Sequence, residues 1–183
     1  EARTVLTTDD IASSPTREKR RGVAGNVFIF KAAGAAADLL LPLDEVERIA
    51  RHANARTYTM GVALSSCSLP QTRRPSFDLP VGEMEIGMGI HGEPGVRRGP
   101  LRPADEVTDE IMDALLAEMQ AARGDRVAVL VNSLGATPLM ELYILYARVA
   151  DRLSAAGLIV HKALVGPYCT SLDMAGASIT LMH

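Results

Sequence analysis

"RVAVLVNSLGATPLMELYILYARVADRLSAAGLIVHKALVG", from Arg126 to Gly166, decides the fold class. Its first seven residues form an apolar run ending at Asn132, which reads as a strand. "SLGATP" carries loop residues and leads into a helix from about Leu139 to Ala155, after which "LIVHKALVG" reads as a second strand. Strand, helix and strand in succession specify an α/β domain.

Working outward, "ASITLM" gives another strand beyond the loop "PYCTSLDMAG". Upstream, a helix is expected from Ala104 to Ala122, started by "PADE" and striped by Val107, Ile111, Leu115 and Met119. Two β-type runs precede it, "TYTMGVAL" from Thr57 and "EMEIGMGI" from Glu83, separated by a polar segment with Pro70, Pro75 and Pro80. In the second run Met84, Ile86, Met88 and Ile90 alternate with Glu85, Gly87 and Gly89, so one strand face is expected to be buried and the other solvated. Two further helices are expected nearer the start, Gly22 to Asp38, rich in alanine, and an amphipathic one from Pro42. "RTVLTTDD" resembles the end of a strand, and with Glu1 as first residue it suggests a piece of a longer protein.

The 183 residues, 48% of them hydrophobic, suffice for one domain, or one domain plus part of another. A net charge of −3 provides no global field for nucleic acid or anionic lipid. "REKRR", Arg17 to Arg21, is the one local exception, and it reads as a solvated helix start unless it meets a phosphate. Cys67 and Cys169 lack metal or redox spacing, no signal peptide is evident, and no apolar run reaches the roughly 18 to 20 residues of a membrane helix. A reduced, cytoplasmic protein with two free thiols is the expectation.

Three loops after strand ends compete for chemistry: "HGEPG", "NSLGATP" and "GPYCTSLDMAG". None is a nucleotide cradle, since both GxxxxGK[ST] and a GxGxxG opening a helix are missing. His91 stands out, because Gly87, Gly89, Gly92 and Gly95 surround it and would admit a small molecule beside the ring. Taken alone it is a ligand, base, nucleophile or structural hydrogen-bonding residue. His52 falls on a helix, His161 in a strand and His183 at the terminus. Glu83, Glu85 and Glu93 offer an acid/base pairing, although alternation assigns Glu83 and Glu85 to a solvated face. Asp173 reads as a turn-stabilising group or an acceptor for a substrate hydroxyl, and no spacing supports a metal.

Five motifs in order, "RRGVAGNVFIFKAAGAAAD", "MGVALSSCSLP", "EMEIGMGIHGEPG", "VLVNSLGATPLMELYILY" and "LVGPYCTSLDMAGASITL", resemble the dihydroxyacetone-binding subunit of dihydroxyacetone kinases. The resemblance runs from about Arg20 to Leu181, with minor departures at Cys67 to Leu69 and at Pro167.

It implies the C-terminal portion of a two-domain α/β subunit. Residues 1–56 would be the tail of the first domain, a strand and two helices, and residues 57–183 a second domain with a mixed sheet. In this family the histidine of "GIHGEPG" bonds the ketone carbon of dihydroxyacetone as a hemiaminal while a terminal hydroxyl receives phosphate. His91 is thereby the implied catalytic residue, with Gly89 and Gly92 beside the substrate. The resemblance also implies, in an earlier portion of family members, a "GGGSGHEP" loop with a second histidine and, later, an aspartate that completes the substrate site and acts on the hydroxyl being phosphorylated; neither lies in this sequence. The resemblance further implies a homodimer, no cofactor on this chain, and nucleotide with Mg on a separate all-helical subunit or domain, in a phosphotransferase-dependent or ATP-dependent system. A dihydroxyacetone sensor or coactivator, or a kinase for a larger ketose such as erythrulose, remains the alternative reading.

Overall fold

A computed structural model describes all 183 residues. A single six-stranded mixed sheet is built from β1 (Thr57–Ala63), β2 (Glu83–Ile86), β3 (Arg97–Pro100), β4 (Arg126–Ser133), β5 (Ile159–Gly166) and β6 (Gly176–Met182), in the spatial order β3-β2-β1-β6-β4-β5. Only β4 and β5 run parallel, joined by the crossover helix α4 (Leu139–Ala155), as the Arg126 to Gly166 stretch requires. Every other pairing is antiparallel.

Side-chain alternation divides the sheet into two faces. On one, Val127, Val129 and Val131 of β4, Ile179 and Leu181 of β6, and Met60 and Val62 of β1 form the main core under α4 and α3 (Ala104–Met119). The predicted stripe Val107, Ile111, Leu115 and Met119 is buried there. The other face receives α1 (Asn26–Asp38), whose Phe28 packs with Ala24 on Leu130, and α2 (Leu43–Ala55), whose Ala50 and Ala53 pack against Ile29 of α1. With both faces covered, β4 reads as a continuous apolar run rather than an alternating one. No helix is long and apolar enough to cross a membrane.

The structure corrects several sequence-based expectations. Residues 3–10 form no strand; Asp9 to Ile11 instead take the edge of β1 at Thr59, with Thr59 N–H donating to Asp9 and Ile11 N–H to Thr59. The helix expected from Gly22 begins at Asn26, after a turn held by the Asp9 carboxylate, which accepts the Val23 and Gly25 N–H groups at 3.0 and 2.8 Å. The helix expected to reach Ala122 stops at Met119, because Gln120 adopts a left-handed conformation.

"EMEIGMGI" is a strand only to Ile86. Gly87, at φ +79°, turns the chain away, so Met88 enters a different apolar cluster while Met84 and Ile86 join the main core. Glu85 is the second casualty of that misreading: only 5% exposed, it ion-pairs with Arg98 at 2.8 Å and accepts the Gly95 N–H at 2.6 Å. Its partner Arg98 belongs to β3, a strand with no apolar alternation to announce it.

"REKRR" is solvated only in part: it opens with a short 3-10 turn, Arg17–Lys19, whose Glu18 and Lys19 are exposed, while its arginines are engaged. Arg17 donates to the backbone carbonyls of Asn54 and Thr57 and lies over the Tyr58 ring at 4.9 Å. Arg20 is buried against Glu118, and Arg21 pairs with Asp10 at 2.8 Å.

Candidate functional site

The three loops singled out in the sequence come together. Met88 from the His91 loop, Leu134 from "NSLGATP" and Met174 from "GPYCTSLDMAG" are buried in one apolar cluster with Ala63 and Cys67. Phe77, Leu79 and Ile90 pack against it. Polar ties supplement the cluster. Asn132 accepts the Tyr168 and Cys169 N–H groups, each at 2.8 Å, and Ser171 N–H donates to Leu134. Asp173 accepts the Ser68 N–H at 2.7 Å, so it ties its loop to a segment more than a hundred residues away rather than stabilising its own turn. These loops therefore form one support rather than three separate sites.

His91 projects from this support with its side chain 80% exposed. The loop beneath it is tight, with Gly89 N–H donating to Glu93 and Gly92 N–H to Gly89 at 3.0 and 3.1 Å. The glycines have a local explanation. A Cβ at Gly92, where φ is +85°, would stand 2.5 Å from the Phe77 ring, and one at Gly89 would stand 2.3 Å from the Glu93 carboxylate. The open backbone thus serves first to let the loop close on Glu93 and pack against Phe77 of the preceding segment.

Glu93 is the ring's immediate neighbour. One carboxylate oxygen accepts the His91 backbone N–H at 3.0 Å, and the other lies 3.3 Å from Nδ1 of the ring. Behind it Arg21 approaches the Glu93 carboxylate at 3.9 Å, donates to the Gly87 carbonyl at 3.4 Å and is gripped by buried Asp10. Partial burial would raise the Glu93 carboxyl, but hydrogen bonds from its own and the His91 backbone N–H and from the His91 ring, with the Arg21 charge, bring it below the ordinary value. Burial pushes the Asp10 carboxyl up, against the pull of Arg21.

The acid/base trio suggested by sequence is not assembled: Glu85 faces Gly95 and Arg98, whereas Glu93 faces His91. His52 lies in the last turn of α2, His161 of β5 contacts Arg126 of β4, and His183 pairs with Asp125 at 3.0 Å. No group of three or more His, Cys, Asp or Glu residues has the arrangement of a metal site. Sequence reasoning missed Arg21 and Asp10 as neighbours of the loop, and no spacing signal connects residues so distant along the chain.

What this arrangement can do is present an exposed imidazole, oriented from behind by a carboxylate, to a small electrophile in solution. The Dak1 domain family model matches residues 1–183. A curated relative from Listeria innocua, the dihydroxyacetone-binding subunit DhaK of PTS-dependent dihydroxyacetone kinase 2, is 53% identical over 98% of this chain and 54% of its own length. An L-erythrulose 1-kinase from Mycolicibacterium smegmatis is 46% identical over the whole of this chain and 33% of its own. Among solved structures, the dihydroxyacetone kinase operon co-activator Dha-DhaQ superposes with a TM-score of 0.89 at 36% identity, over 97% of this chain and 56% of that one. The chain thus spans about half the length of the first of these relatives, and a third of the kinase.

Proposed function

This chain belongs to the Dak1 domain family, and on that premise we propose that it is the ketone-capturing part of a dihydroxyacetone kinase. In this reading His91 attacks the carbonyl carbon of dihydroxyacetone through a neutral ring nitrogen, forming a hemiaminal that holds the substrate while a terminal hydroxyl accepts phosphate. The observation that carries it is the exposed His91 imidazole on a loop anchored from three sides, within a chain 53% identical to a dihydroxyacetone-binding subunit. The phosphoryl donor, as nucleotide with Mg or through a phosphotransferase system, belongs to a separate helical subunit or domain, and the capturing subunit acts as a homodimer in the cytoplasm.

Covalent capture selects for chemistry rather than size. Glycerol has the same carbon skeleton and no electrophilic carbon, so it should be excluded although a shape-based pocket would discriminate poorly. Native mass spectrometry of this chain should show one added dihydroxyacetone on the parent, none on His91→Asn, and no glycerol on either. Equal retention of the ketone by His91→Asn would overturn the reading.

A second reading, a kinase for a four-carbon ketose, is favoured by the erythrulose kinase at 46% identity. His91 fixes only the carbonyl. Competition between erythrulose and dihydroxyacetone in the same measurement decides between them.

A further inference from the structure

Arg21, left over from the basic run, and Glu93, left over from the candidate acid/base trio, meet behind His91, and capture of a ketone by the imidazole alone does not use either. We propose that Glu93, steadied by Arg21, is the positioning residue that fixes the His91 tautomer, holding the proton on Nδ1 so that Nε2 carries the lone pair aimed at the ketone. The inference rests on the covalent reading of His91 given above.

The geometry constrains the roles closely. An ionised carboxylate can only accept hydrogen bonds. One Glu93 oxygen is already committed to the His91 backbone N–H, which fixes the side chain, and the other faces Nδ1 at 3.3 Å. An acceptor at Nδ1 stabilises the ring tautomer whose proton is on Nδ1, leaving Nε2 as the unprotonated, outward nitrogen. Arg21 supplies the opposite charge that keeps the carboxylate ionised, and its own position is set by buried Asp10 and by the Gly87 carbonyl. The sequence of contacts is therefore Asp10, Arg21, Glu93, His91, each neighbour compatible in charge with the next.

The same placement serves the bond-forming step. The Nε2 lone pair forms the N–C bond to the carbonyl carbon while the C=O π pair moves to oxygen, which takes a proton from water. The ring, momentarily cationic, gives its Nδ1 proton to Glu93, which returns it to solvent. The products are a neutral hemiaminal with an O–H, a ring bare at Nδ1, and an ionised Glu93, so protons and electrons balance without another reactant.

Glu93→Gln provides a sharp test because it preserves shape and reverses polarity. Its amide oxygen can keep the His91 backbone N–H, but the NH₂ must then face Nδ1 and donate to it, driving the ring proton to Nε2. Nitrogen-15 NMR of the histidine ring in the ligand-free chain should show His91 with Nδ1–H in the parent and with Nε2–H in Glu93→Gln, and dihydroxyacetone binding should weaken at least tenfold. A parent His91 protonated on Nε2 would overturn the proposal without reference to any variant. So would a Glu93→Gln protein with unchanged tautomer or unchanged ketone affinity. His91→Asn, measured in parallel, separates the two claims: if it loses the ketone and Glu93→Gln does not, the positioning role alone falls, and if it keeps the ketone the covalent reading falls as well.

Discussion

At the scale of single residues, the His91 loop owes its shape to polar groups that reach inward. Glu85 is the clearest case, a buried carboxylate whose oxygens take the Gly95 N–H and the Arg98 guanidinium. Replacing it by alanine leaves the Gly95 N–H without its acceptor and Arg98 without its partner. Loss of such charge-assisted bonds costs about 1 to 3 kcal/mol. Urea denaturation of Glu85→Ala should show a loss of that order, and hydrogen exchange at Gly95 should accelerate more than exchange in β4. Undisturbed exchange at Gly95 would mean that Glu85 does not organise the loop. The sequence reading assigned Glu85 to solvent because strand alternation alone cannot reveal a partner contributed by β3. His91, in contrast, was legible through its setting of glycines, although those glycines prove to accommodate Phe77 and Glu93.

At the scale of elements, α3 and α4 share a layer and are joined at its surface by Asp109 of α3, which receives Arg148 at 2.7 Å and Arg152 at 2.8 Å from α4. Hydrogen bonds from Arg148 and then Arg152 hold the Asp109 carboxyl down from an ordinary 3.8 to about 2. Because the folded value lies below the unfolded one, the link is fully present above the ordinary value and is lost as pH falls toward about 2. Asp109→Asn should therefore be less stable than the parent at neutral pH, with the difference shrinking across that acid window; a difference independent of pH would show that the ion pairs contribute nothing. The elements themselves were readable wherever one periodicity ran uninterrupted. The helix Leu139–Ala155 and the strand from Arg126 match the structure, the helix because Leu142, Val149 and Leu153 bury one face and the strand because its apolar run is buried almost throughout. "EMEIGMGI" failed for a local reason, as apolar residues continued to alternate past a glycine that had already turned the backbone.

At the scale of the whole molecule, a sheet covered on both faces should unfold as a unit. Phe28 of α1 and Leu130 of β4 tie one helical layer to the strand that also carries Val127, Val129 and Val131 beneath the other. Phe28→Ala should destabilise the protein by about 3 to 5 kcal/mol while leaving a single thermal transition. Separate melting of the residues before Thr57 would contradict this coupling. Neither the stacking of α1 on Leu130 nor the placing of Arg21 behind His91 could be read from the sequence, because both depend on contacts between segments distant along the chain.

The central claim is that His91 holds a ketone by a covalent bond, and carbon-13 NMR with dihydroxyacetone labelled at the carbonyl carbon tests it most directly. On binding, the carbonyl resonance should be replaced by that of a tetrahedral carbon attached to nitrogen, and the new signal should vanish in His91→Asn. A bound ketone that keeps its carbonyl resonance, or a tetrahedral signal that survives in His91→Asn, would contradict the account.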